Sequence, residues 1–121
     1  MARLDGLAQQ FTDLGQQFTD VQTLLGVRDY NSRVRAHNSQ AVHAALLLKP
    51  LRKEKQPGLG TMPEDEQVWF PDNAFQLNNM THAQIDALAA FYREDFGLAP
   101  GTDARVNAVA FFIGAPQPRI V

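Results

Sequence analysis

Apolar residues recur at alternating intervals of three and four over the first twenty-five positions: Leu4, Leu7, Phe11, Leu14, Phe18, Val21 and Leu25. An α-helix brings positions three and four apart onto one face. The spacing therefore predicts a coiled-coil seam, with Leu4, Phe11, Phe18 and Leu25 at a and Leu7, Leu14 and Val21 at d. Within it Leu7-Ala-Gln-Gln-Phe-Thr-Asp13 is followed by Leu14-Gly-Gln-Gln-Phe-Thr-Asp20, a repeat of seven. Gly6, Gly15 and Gly26 each cost about 1 kcal/mol relative to Ala in a helix interior, so the helix needs other helices to cover its large phenylalanines. The e and g positions Ala8, Gln10, Gly15, Gln17, Gln22 and Leu24 carry no charge. Partner choice thus falls to the seam itself, and the expectation is a parallel self-associating bundle. The alternative is that the stripe packs on this chain's own C-terminal helices.

After Leu25 the next d and a positions are Arg28, Ser32, Arg35 and Ser39, and the apolar seam ends. Helix is expected to continue through Val27, Tyr30 and Val34. It should fray before residue 40, because Asn31-Ser32 and Asn38-Ser39 are turn and cap formers. Pro50 biases Lys49 away from helix, so Leu46 to Leu51 reads as extended. Gln56-Pro-Gly-Leu-Gly60 reads as a loop, and Val68-Trp-Phe-Pro71 as an aromatic run pinning that loop to the core.

The last forty residues have clear helix grammar. Thr81 and Gln84 have capping-box spacing, with Met80 and Ile85 as a hydrophobic staple. A helix follows with Ile85, Leu88, Ala89 and Tyr92 on one face, extended by Phe91 and Phe96 and stopped by Gly97. Leu98 to Gly101 is the connector. Thr102 or Asp103 then caps a second helix with Val106, Val109, Ala110 and Ile113 inward, ended by Gly114 and Pro116.

Charge adds one feature to this picture. The net charge is −2, but residues 1–60 hold eight basic and five acidic side chains, and residues 61–121 three basic and eight acidic. Arg28, Arg33, Arg35, Lys49, Arg52, Lys53 and Lys55 are the candidate nucleic-acid contacts. The competing reading is a helix-end collar plus an intramolecular match of the lysine-rich stretch with Glu64, Asp65 and Glu66 across the Gly-rich turn. Specific nucleic-acid modules usually show a longer basic footprint, so that partner is not favoured. With no cysteine, disulfides and thiolate metal sites are excluded. His37, His43 and His82 fall in separate segments without i, i+4 pairing or a neighbouring carboxylate, so no metal site is expected. Gly58-Leu-Gly60 leads into Thr61-Met-Pro63 and not into a lysine-bearing helix start, so it is no phosphate loop. No acid–base pair or serine triad is readable, and neither catalytic residues nor a cofactor are assigned. The apolar run Val106 to Ala115 is too short to cross a bilayer and no export signal is visible. An intracellular chain, cytoplasmic or nuclear, is the expectation.

Two resemblances rest on these residues. Thr81 to Gly114, a helix, a Gly-Leu-x-x-Gly-x turn and a second helix, resembles the helix-extended-helix pattern of SAP-type modules, which in that family bind DNA. The pattern departs from them in charge, with only Arg105 on the second helix and Asp86, Glu94 and Asp95 in the first. More widely, several short motifs follow one another in a matching order. They are Asn31-Ser32, Asn38-Ser39, Leu48-Lys-Pro-Leu51, Gly58-Leu-Gly60, Phe70-Pro71, Met80 to Leu88 and Phe112-Ile-Gly114. Their order resembles the C-terminal-like domain of a fungal meiotically up-regulated gene protein. That resemblance implies that residues 30–114 form one module displayed in several copies by the heptads, and it supplies no catalytic residue.

The chain is therefore expected to be mainly α and not an enzyme. Residues 1–36 should form a coiled-coil oligomerisation helix, 37–80 an extended wrapping segment, and 81–121 a C-terminal helix pair with its tail, 37–121 making one module. The expected partners are the chain itself and another protein docking on that module.

Overall fold

A computed structural model describes residues 2–41, 46–98 and 101–116, with side chains from Thr12 onward. The protein is mainly helical, and no strand occurs among the described residues. Helix α1 (Ala2–Asn38) is followed by a 3-10 turn (Pro63–Glu66), α2 (Ala74–Asn78), α3 (His82–Tyr92) and α4 (Thr102–Ile113).

The last three turns of α1 belong to the core. Val27, Asn31, Val34 and Asn38 are all buried, and their spacing of four, three and four places them on one helix face. The two asparagines are bound to the backbone of the extended segment. Asn31 Nδ2 donates to the Arg52 carbonyl (2.9 Å) and its Oδ1 accepts from Arg52 N–H (2.8 Å). Asn38 repeats the pattern on Lys49 (3.0 and 2.9 Å). Seven helical residues rise about 10.5 Å and three extended residues span about 10 Å. One carboxamide every two turns thus keeps step with every third residue of a chain running antiparallel to the helix. The helix ends at Asn38, before residue 40 as the sequence implied, and Asn31 sits within it without interrupting it. Their side chains are engaged by another segment's backbone and do not compete for their own.

The extended segment threads Leu48 and Leu51 into the core beneath α3 and α4, where Ile85, Leu88, Val106 and Val109 are also fully buried. Tyr92 Oη donates to the Leu51 carbonyl at 2.7 Å. Burial raises the Tyr92 phenol above its usual range, outweighing that hydrogen bond and the nearby Arg35 charge. A folded-state pKa above the unfolded value of about 10 gives a stability contribution complete below pH 10 and lost as pH rises past it. Alkaline unfolding followed by circular dichroism should therefore show stability falling above about pH 10. Tyr92→Phe should flatten that fall and cost about 1–3 kcal/mol at neutral pH, because the Leu51 carbonyl loses its donor.

A short hairpin follows, closed by Lys53 N–H to the Thr61 carbonyl (2.9 Å) and Gly60 N–H to the Lys53 carbonyl (2.8 Å). Val68, Trp69 and Phe70 pack half-buried against the core, as their sequence implied. The middle segment is not wholly extended, however. Asp65 accepts from Met62 N–H (2.9 Å) to form the 3-10 turn, and Asn73 caps α2 by accepting from Gln76 N–H (2.9 Å).

Helix α3 starts at the predicted capping box, with Thr81 Oγ1 accepting from Gln84 N–H (3.2 Å) and Gln84 Oε1 from Thr81 N–H (2.9 Å). It ends at Arg93 and not at Gly97. Arg93 is left-handed (φ 55°), and Lys55 Nζ donates to its carbonyl at 2.7 Å. Gly97 lies in the connector with φ 78°. Helix α4 begins after Gly101, which holds the N-cap position expected for Thr102 or Asp103. Its inward residues Val106, Val109, Ala110 and Ile113 are those predicted, and Gly114 ends it at φ 83°. That end abuts α1: Arg35 Nε donates to the Phe112 carbonyl (2.8 Å) and Asn38 Nδ2 to the Ile113 carbonyl (2.9 Å). Two C-terminal carbonyls that α4 cannot satisfy internally are thereby capped from outside.

Candidate self-association surface

The seam residues with described side chains lie in the open. Leu14, Phe18, Val21 and Leu25 are 61, 65, 54 and 60 % exposed. The side chains of Leu4, Leu7 and Phe11 lie outside the described residues. At 100° per residue, the Leu14–Leu25 stripe and the buried Val27–Asn38 stripe sit roughly 140° apart around α1. From Leu14 onward the seam therefore does not pack on this chain's C-terminal helices. The same helix buries one face in its own module and presents another, further along, to the surroundings. Contiguous exposed apolar side chains of this kind mark interaction surfaces on soluble proteins.

The candidate nucleic-acid residues are drawn into the module's own contacts. Arg28 Nε lies 3.4 Å from Glu54 Oε1, and Arg35 Nη2 lies 3.4 Å from Glu54 Oε2. Arg33 pairs with Asp29 one turn earlier at 2.9 Å. Arg52 donates to the Gly60 carbonyl (3.0 Å), and its guanidinium covers the Tyr30 ring at 4.6 Å. Lys53 is buried, 3.8 Å from Glu66 and 5.0 Å from the Phe91 ring centre. Lys55 pairs with Glu94 at 3.1 Å. Lys49 is held through its backbone by Asn38 while its side chain is exposed. The match expected with Glu64, Asp65 and Glu66 is thus realised only at Lys53–Glu66. Lys55 instead meets Glu94, just beyond α3, and Glu54, within the basic stretch, turns to Arg28 and Arg35 of α1.

The remaining polar chemistry is structural in form. Arg105, 3 % exposed, donates to His82 Nδ1 (2.8 Å) and the Phe96 carbonyl (3.3 Å) and pairs with Asp86. An imidazole accepting at Nδ1 carries its proton on Nε2, 3.0 Å from Thr102 Oγ1. This cluster fastens α3 to α4. His37 Nε2 lies 2.8 Å from the Leu47 carbonyl, and His43 lies outside the described residues. No group of three metal-ligating side chains occurs among the described residues. No described helix is long and apolar enough to cross a membrane. A depression of about 420 Å³ between Arg35, Asp95, Phe96, Phe111 and Phe112 has ion-paired Glu94 on its rim.

Sequence reading missed three contributions to the contacts of α1: Glu54, Leu59 and the backbone role of the asparagines. The heptad column Leu24, Asn31, Asn38 was a usable signal, because it continues the g positions into the module. Comparison with protein-family models, with curated proteins and with solved structures finds nothing that matches the chain.

Proposed function

We propose that this protein is a self-associating structural scaffold. The N-terminal heptads of several copies pack into a bundle, and each copy displays the compact module formed by the end of α1 and residues 46–116. The observation that carries the reading is the exposed stripe of Leu14, Phe18, Val21 and Leu25, roughly 140° around α1 from its buried face. A second copy is the fitting occupant because the stripe repeats every seven residues and its flanks are uncharged, which makes it self-complementary. The internal pairing of the basic residues supports this reading over nucleic-acid binding. The displayed α3–α4 pair, with Phe111 exposed beside the depression described above, is the surface offered to a further protein.

Light scattering after size exclusion tests it. The wild-type chain is expected to be an oligomer at micromolar concentration, and Phe11→Asp combined with Phe18→Asp should convert it to a monomer with the module still folded. A wild-type monomer overturns the proposal.

A further inference from the structure

A short seam must offset the freedom lost on association by the apolar surface it buries, so contacts at the seam's end add to a limited interface.

That end is built jointly by α1 and the hairpin. Asp20, Val21 and Leu24 form one wall of a groove of about 200 Å³, and Glu54, Gln56 and Leu59 form the other. Small-molecule sites run to about 300–1,000 Å³, so the space suits one or two side chains. Its floor is continuous with the seam: Val21 is a d residue, and Leu24, at g, is half-buried beside the half-buried Leu59. In a parallel, in-register coiled coil an a residue enters a hole framed by the preceding d and g, its own equivalent and the next d. For Leu25 of a second copy those four are Val21, Leu24, Leu25 and Arg28.

Arg28 is the residue that ends the apolar stripe, and an unpaired cation in that layer would oppose closure. Glu54, whose Oε1 lies 3.4 Å from Arg28 Nε, offsets that charge while its other oxygen faces Arg35.

We infer that the hairpin is part of the self-association surface: Leu25 of a second copy seats against Val21 and Leu24 in a hole backed by Leu59, and Glu54 completes it by neutralising Arg28. A two-fold axis along the seam repeats the contact on the other copy and keeps the pair parallel and in register. This rests on the self-association proposed above.

The test uses the full chain. It contains no cysteine, so Leu25→Cys reports on one pairing alone and should form an interchain disulfide under mild oxidation. Leu59→Ser and, separately, Glu54→Gln should each raise the self-dissociation constant by about tenfold, with the module's melting still cooperative. If the wild type is monomeric, self-association itself fails. If the wild type is oligomeric but Leu25→Cys does not cross-link, or neither folded variant weakens the assembly, the bundle stands and the composite hole is overturned.

Discussion

Gly114→Ala lowers the module's unfolding free energy by about 3 kcal/mol or more in a urea titration, the sum of two costs at one atom. The first is conformational. Gly114 sits at φ 83°, where a residue bearing a Cβ is disfavoured by about 1–2 kcal/mol. The second is steric. A Cβ there would lie 2.6 Å from Arg35 Cβ, and 2.7 Å from both its Cα and its carbonyl oxygen. Two of those atoms are backbone within α1, so a rotamer change cannot relieve the overlap. Moving α4 away instead would stretch the Arg35–Phe112 and Asn38–Ile113 hydrogen bonds together. Gly26→Ala is the matched control. Nothing lies within 4 Å of the added methyl, and an alanine in a helix interior gains about 1 kcal/mol over glycine. Opposite signs at the two glycines are expected; a neutral Gly114→Ala would contradict the close approach of α4 to α1.

Asn38→Ala is the second large loss, again about 3 kcal/mol or more. One buried carboxamide serves three backbone groups: the Lys49 N–H, the Lys49 carbonyl and the Ile113 carbonyl. Removing it strands all three, and each buried polar group without a partner costs about 1–3 kcal/mol. Asn38→Asp separates donor from acceptor. It keeps an oxygen for Lys49 N–H but turns oxygen towards two carbonyls, so it should be no better than alanine. A loss below about 1 kcal/mol for both variants, measured by denaturant unfolding, would show that this residue does not hold the segment. Asn31, which serves only Arg52, should give a smaller loss in the same assay.

Legibility divided along the range of the forces involved. The capping box at Thr81 was readable because its partner lies three residues away, and the inward face of α4 because its apolar residues recur at helical spacing. The apolar stripe of α1 was readable because its period repeats. The stop of α3 was not: Arg93 is left-handed and its carbonyl is held by Lys55, 38 positions away, whereas local grammar pointed to Gly97. The helix end near Asn38 was anticipated from the Asn-Ser pairs, but the asparagines' grip on a second backbone was not. Only the extended segment, placed by the fold, gives them another backbone to bind. Glu54 is similar. In sequence it is one acid among lysines, and it becomes the shared partner of Arg28 and Arg35 only once the hairpin lies against α1. That the seam points outward was implicit in the phase difference between Leu14–Leu25 and Val27–Asn38, but its meaning required knowing which stripe the module covers.

That phase has a geometric consequence. Because α1 is unbroken from stalk to module, it acts as a shaft whose angular position is set by residue number. Each added or removed residue between Leu25 and Val27 would turn the module by about 100° relative to the seam. With the present spacing, roughly 140° around the shaft, copies joined along the seam would carry the bulk of their modules on the outer side of the bundle, with the hairpin reaching back to the seam. The α3–α4 surfaces would then radiate from a common stem, and the direction in which each one faces would be set by the residue count of one helix.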